Sequence, residues 1–202
     1  NGSGKVVLIG QTVADTLTNL VDARLRVRGV LSPTLEESPL LLVPSRHFLD
    51  VVKEPPPDPF AEPGIPIAML LASDAGSVFH RVQVSGLVTY LSPQSFFIQD
   101  ASGAGIRVKA DRPPNVEVGD QIAVSAFVSL DGFADTLIEP LIHRVNTSQI
   151  IVPKDLNLTE ALAANQRGSL VQVNATLLAQ KTNGVGHVLE LQEQQRVFFA
   201  VL

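Results

Sequence analysis

Side chains able to hold a ligand gather in one short part of the sequence: Tyr90, Phe96 and Phe97, then Arg107 and Lys109. Aromatic rings supply faces for stacking, and Lys or Arg supplies charge for a carboxylate or phosphate, the pairing by which small β-barrels grip single strands and sugars. In an extended chain Phe96 and Phe97 point to opposite faces, so at least one is core, while Arg107 and Lys109 share a face. Tyr90, Phe97, Arg107 and Lys109 form the candidate binding set. The competing account is a solvated strand face.

Catalysis needs convergent groups, and the other candidates are scattered. His47, His80, His143 and His187 show neither an i, i+4 pair nor a carboxylate at metal-ligand spacing, so no metal site is predicted. His80 and His143 flank strands of one predicted barrel and are read as strand-edge residues facing water. Asn1-Gly2-Ser3-Gly4-Lys5 has the end of a phosphate-binding loop without the preceding strand, the first Gly or the following Ser or Thr, so it cannot cradle phosphates. In Gln99-Asp100-Ala101-Ser102-Gly103 the carboxylate can accept from backbone N–H groups of its own turn, which fixes a hairpin. No catalytic residue, metal ligand or cofactor is predicted.

The elements that must position these residues run from His80 to Val145. Apolar residues alternate in Val82–Tyr90, Phe96–Asp100, Ile106–Ala110, Val118–Val128 and Leu137–Val145, each run bounded by Gly, Pro, Asp or Ser. These read as five antiparallel strands, which fit a small, partly open Greek-key barrel of the OB type. Either side, part of the plan recurs. Arg24-Leu25-Arg26-Val27-Arg28-Gly29 lies over Arg81-Val82-Gln83-Val84-Ser85-Gly86, followed by runs at 40–43 and 48–52. Residues 170–177 repeat the first strand again, 188–191 and 197–201 the second and third, with Asn183-Gly184 as the turn. Short helices are predicted over 12–21, 67–72 and 159–164. The fold class is all-β with short helices, in tandem OB-fold modules, one complete and two partial.

Glu54-Pro55-Pro56-Pro57-Asp58-Pro59 cannot join a sheet interior, because proline lacks an amide donor and fixes φ, so it reads as an extended linker. The predicted organisation is a partial module at 1–54, the linker at 55–66, the complete module at 67–148 and a partial module at 149–202. Flanks this short bury too little surface to fold alone. Val6–Ile9 and Gln149–Val152 are the local candidates to cover their strand edges.

Of the 202 residues 45% are hydrophobic and 17% charged, enough apolar material for packed cores. The net charge is -5, and within residues 79–147 five cationic side chains face seven acidic ones. Nucleic acid is therefore an unlikely partner. Absence of cysteine excludes disulfides and thiolate chemistry. No run is long and apolar enough to span a bilayer. The start without Met and the finish on Phe198–Leu202 read as an excised fragment.

The motifs V-x-V-x-G-x-V at 82–88, F-F-I-Q-D-A-S-G at 96–103, I-R-V at 106–108 and V-G-D-x-I-x-V at 118–124 resemble the OB-fold repeats in extracytoplasmic sensor regions of bacterial membrane histidine kinases. A similar signature occurs in OB modules of secreted bacterial nucleases. Ala126 stands where those families usually place Gly. The resemblance implies a non-enzymatic, periplasmic or extracellular region that senses or binds an unknown small ligand or protein, with membrane spans and any catalytic domain outside the fragment. The alternative is a nucleic-acid or oligosaccharide binding module of a secreted protein. With a bacterial resemblance, the sequons at Asn146, Asn157 and Asn174 carry no glycosylation expectation.

Overall fold

The computed structural model describes residues 5–8, 20–32, 40–72, 80–110, 114–129, 136–146, 152–163, 166–184 and 186–202. Most of the predicted helix over 12–21, the loop Asn1–Gly4, and all of the predicted strand at 149–152 except Val152 lie outside them. The described chain is predominantly β, with several sheets and two short helices. It divides into two compact units, residues 1–61 with 79–81 and residues 62–78 with 82–202. Among the described residues no helix is long and apolar enough to cross a membrane.

The first unit holds β1 (Lys5–Leu8), β2 (Arg24–Val27), β3 (Val30–Ser32), β4 (Leu40–Val43) and β5 (Leu49–Lys53). The sequence predicts one strand over 25–31 with the runs at 40–43 and 48–52 following in barrel order. Instead the first run breaks at Arg28-Gly29, β3 joins β4, β1 pairs parallel with β4, and β5 pairs antiparallel with β2. Arg28 bridges the observed pairing of β2 with residues 48–50. Its N–H donates to the Phe48 carbonyl at 2.9 Å, and its guanidinium reaches the Asp50 carboxylate at 3.2 Å and stacks 5.9 Å from the Phe48 ring centroid. These contacts lie alongside the β2–β5 ladder, where Val27 pairs with Leu49 and Arg26 with Asp50.

After residues 54–66, which carry no strand or helix, the second unit begins with α1 (Ile67–Ala72), where a short helix was expected. Five strands follow: β6 (Val82–Ser92), β7 (Ser95–Gln99), β8 (Gly105–Lys109), β9 (Gln121–Ser129) and β10 (Thr136–Asn146). They form a closed barrel in the order β10-β8-β7-β6-β9. The sequence predicts five antiparallel strands in a partly open barrel, and here the structure differs. β8 and β10 pair parallel, through Thr136 with Arg107 and Leu137 with Val108. An odd number of strands cannot alternate in direction around a closed ring, so at least one neighbouring pair must be parallel.

Closure depends on β6, whose first half pairs with β9 and second half with β7. Gly86 sits at the change of partner. A Cβ there would lie 2.6 Å from the Gln99 carbonyl oxygen, so only glycine permits the approach. Val84, Val88, Phe96, Ile98, Ile106, Val108, Ile122, Val124 and Leu137 fill the interior, and Ile67 and Leu70 of α1 pack against them. Burying these side chains contributes about 1.5–3 kcal/mol each, before conformational entropy is subtracted.

The V-G-D motif completes the barrel. Gly119 N–H donates to the Val88 carbonyl at 2.8 Å and Val88 N–H donates to the Asp120 carbonyl at 2.9 Å. Asp120 is 2% exposed; its carboxylate accepts from Glu117 N–H at 2.8 Å and pairs with Arg144 at 2.9 Å.

The chain continues through β11 (Lys154–Asp155), α2 (Leu158–Ala161), β12 (Val171–Gln172), β13 (Thr176–Asn183), β14 (Gly186–Glu193) and β15 (Arg196–Val201). α2 is shorter than the predicted 159–164 and opens on a capping box, with Asn157 and Glu160 satisfying each other's backbone N–H. β11 pairs parallel with β12, and β13-β14-β15 make an antiparallel sheet. The single strand predicted over 170–177 is divided between β12 and β13.

Candidate ligand-binding face

β6, β7 and β8 bring the sequence candidates together on the outside of the barrel. Tyr90 pairs in register with Phe97, and Phe97 with Arg107, so three of the four stand in one row across three strands. At about 4.8 Å between strands the row is about 10 Å wide. Lys109 lies one outward position further along β8, opposite Ser95.

Strict alternation along β6 would turn Tyr90 inward with Val84, Gly86 and Val88, all buried. A register shift between Val88 and Tyr90 inserts Thr89, whose hydroxyl donates to the Phe97 carbonyl at 3.4 Å. The bulge reverses the parity and leaves Tyr90 58% exposed. Its ring meets that of Phe97 edge-on, with centroids 6.0 Å apart and planes at 69°. Phe97 is half-buried while Phe96 is fully buried, so the expected division of the pair between face and core is observed.

Arg107 is exposed, and its guanidinium lies 3.4 Å from Ser95 Oγ, which in turn shares a 2.9 Å hydrogen bond with Ser92 Oγ. This serine pair steadies the guanidinium beside the aromatic pair. Lys109 is exposed on the same face.

One end of the face carries a wall that sequence reasoning missed. Gln99 and Gly105 continue the outward rows of β7 and β8, and residues 168–170 lie against them. Leu170 N–H donates to Gln99 Oε1 at 2.7 Å, and Ser169 Oγ donates to the Gly103 carbonyl at 2.8 Å. A Cβ on Gly105 would lie 2.0 Å from the Gly168 carbonyl oxygen, so the contact exists only between glycines. Nothing local in Gly103-Ala104-Gly105 distinguishes this docking from an ordinary hairpin tip.

The Asp100 turn does what its sequence predicts and more. Oδ1 accepts from Ser102 N–H at 2.9 Å and from Ser102 Oγ at 2.5 Å. Oδ2 accepts from Ile67 N–H at 2.7 Å, which ties the first residue of α1 to the β7–β8 hairpin. The histidines belong to other segments of the chain. His80 Nδ1 lies 3.1 Å from Asp22 Oδ1, His187 Nδ1 lies 3.1 Å from Thr182 Oγ1, and His143 is exposed on β10. Among the described residues no group of three or more His, Cys, Asp and Glu side chains could hold a metal ion. No protein-family model and no curated protein matches this chain.

Proposed function

We propose that the chain is a binding region built from OB-type modules, and that the outer face of β6, β7 and β8 receives its ligand. The observation that carries this reading is the row Tyr90–Phe97–Arg107 with Lys109 beside it. An exposed phenol, an edge-on phenyl ring and two cations on one face fit a small ligand that combines a flat ring or sugar face with a carboxylate. Support for the OB identity comes from the strand order, the parallel closing pair and the V-G-D closure beside the bulge. Ala126 packs fully buried opposite Val82, so an alanine suits the position where the related modules usually have glycine.

The motif resemblance extends this proposal to an extracytoplasmic sensing or interaction region of a bacterial signalling protein, of the histidine kinase type. An oligosaccharide module of a secreted protein is the second reading, favoured by the exposed Tyr90 ring next to Arg107. Titrating the labelled chain with a panel of aromatic carboxylates and uronate oligosaccharides, followed by amide chemical shifts, tests both. Shifts centred on residues 90, 97, 107 and 109, weakened about tenfold or more by Arg107→Ala with Lys109→Ala, are expected. Shifts centred elsewhere would remove the proposal.

A further inference from the structure

The first unit gathers its cations in one row. Arg24, Arg26 and Arg28 alternate along β2 and just beyond it, exposed, with Leu25 and Val27 half-buried between them, so the three side chains leave one face of the β2–β5 ladder. Contacts across the ladder fix that face. Asp50 pairs in register with Arg26, and its carboxylate accepts from the Arg28 guanidinium at 3.2 and 3.3 Å. The Phe48 ring lies against the same guanidinium. Lys53 stands directly opposite Arg24.

Only part of this charge is neutralised. Asp50 takes Arg28, and among the described residues no carboxylate pairs with Arg24, Arg26 or Lys53. Asp22, two residues before β2, has its side chain 9% exposed and its carboxylate 3.1 Å from His80 Nδ1. Arg24 and Lys53 are both exposed, and like charges opposed across a strand pair destabilise it. A face that serves only solubility intersperses the two signs. Here a chain of net charge -5 sets three cations side by side, the kind of local conflict that proteins keep at functional sites.

The geometry of the row selects among anions. Its side chains are exposed, so they enclose no small molecule. A long polyphosphate meets Asp50 after two steps and then the acidic balance of the whole chain. A short extended peptide has the right repeat, because its alternate side chains leave one face about 6.8 Å apart, as the arginines do. Carboxylates from two alternate positions can face Arg24 and Arg26, the first with Lys53 beside it, and each guanidinium offers a fork of donors to a carboxylate. The next alternate position meets Phe48, 40% exposed, beside the Asp50–Arg28 pair. A third acid would be repelled there, whereas an apolar side chain would cover the ring.

We infer that this face of the first unit binds an acidic segment of a partner protein, extended along β2, with carboxylates at two alternate positions and an apolar residue at the third. Arg24, Arg26 and Lys53 supply the attraction. Asp50 supplies the register, since it satisfies Arg28 and repels a carboxylate that slips one step along the row. The charge of the occupant also relieves the opposition of Arg24 and Lys53, so binding removes a strain that the free face carries. No residue is shared with the ligand face of the barrel, and either site can fail without the other.

The test is a titration of the full labelled chain, followed by amide chemical shifts, with a peptide of Ser and Thr that carries two Glu at alternate positions and a Leu at the next. Saturating shifts are expected at residues 24–28 and 48–53, weakened about tenfold or more by Arg24→Gln with Arg26→Gln. Arg24→Gln alone should weaken binding while leaving the thermal midpoint equal or higher, because it ends the repulsion from Lys53. Placing the two Glu next to each other in the peptide should weaken binding as well. Arg107→Ala with Lys109→Ala should leave it unchanged. Absence of these shifts up to about 1 mM peptide, equal affinity for the peptide with adjacent Glu, or a lower thermal midpoint in Arg24→Gln would each overturn the inference. So would a preference of the same residues for oligo-dT or for phosphatidylglycerol vesicles over the peptide.

Discussion

The barrel strands β6, β7 and β8 and the sheet β13, β14 and β15 share a register and a bulge, yet their two faces have different fates. Inward, both carry apolar residues throughout, buried in one and open in the other. Outward, the row Tyr90, Phe97, Arg107 and Lys109 corresponds to Ala179, Glu190, Phe199 and Val201. Inner positions define the architecture and keep their chemical class. Outer positions are free of that constraint, so a ligand face can exist on one sheet and be absent from the other.

The strongest way to break the comparison is to empty equivalent interior positions. Phe96→Ala should cost about 3–5 kcal/mol in denaturant unfolding, because the side chain is fully buried and the barrel cannot collapse around the gap. Leu189→Ala should cost no more than about 1–2 kcal/mol, since that side chain already meets solvent. Equal costs would mean that the C-terminal sheet is closed over its interior.

Next in size is the carboxylate latch. Asp100→Ala and Glu193→Ala each remove the acceptor of a helix's first N–H, that of Ile67 or Leu158, both in buried residues. Each should cost about 1–3 kcal/mol in the same unfolding measurement. Similar losses would sharpen the correspondence of the two sheets. A loss at Asp100 alone would show that Glu193 is incidental.

How much of this was legible follows from what kind of interaction decides each element. Period-two alternation at 82–88, 96–100 and 106–110 exposes the strands, because burial on one face acts on every second residue. The same rule places Arg107 and Lys109 together, but it would have turned Tyr90 inward, since an inserted residue leaves no local mark in Leu87-Val88-Thr89-Tyr90. Long-range pairing was least visible. The union of β5 with β2, the parallel contact of β8 with β10 and the seat of Gly168 on Gly105 depend on where distant segments arrive.

Gly105→Ala measures that last contact and should have a smaller effect. The new methyl group would displace residues 168–170, releasing the hydrogen bonds from Leu170 and Ser169. Hydrogen exchange should accelerate in 166–172 while the barrel strands stay protected. Loss of protection across β6 to β10 would show instead that the segment is part of the barrel's own stability.

The smallest expected effect is none at all, and it concerns single-stranded DNA. A groove for nucleic acid needs stacking rings together with a track of cations that neutralises successive phosphates. The outer row of the barrel has the rings, but Arg107 and Lys109 can neutralise only about two phosphates, for a salt slope of about -1.4 in log affinity. The chain around them carries a net charge of -5, and the matching position on the C-terminal sheet is Glu190, which would repel a strand continuing along the tandem. Fluorescence anisotropy of a labelled oligo-dT should therefore stay flat at physiological salt up to about 100 μM protein. Tight, salt-sensitive binding that Arg107→Ala and Lys109→Ala weaken would make the row a nucleic-acid groove, and would place the functional difference between the two sheets in their affinity for phosphate.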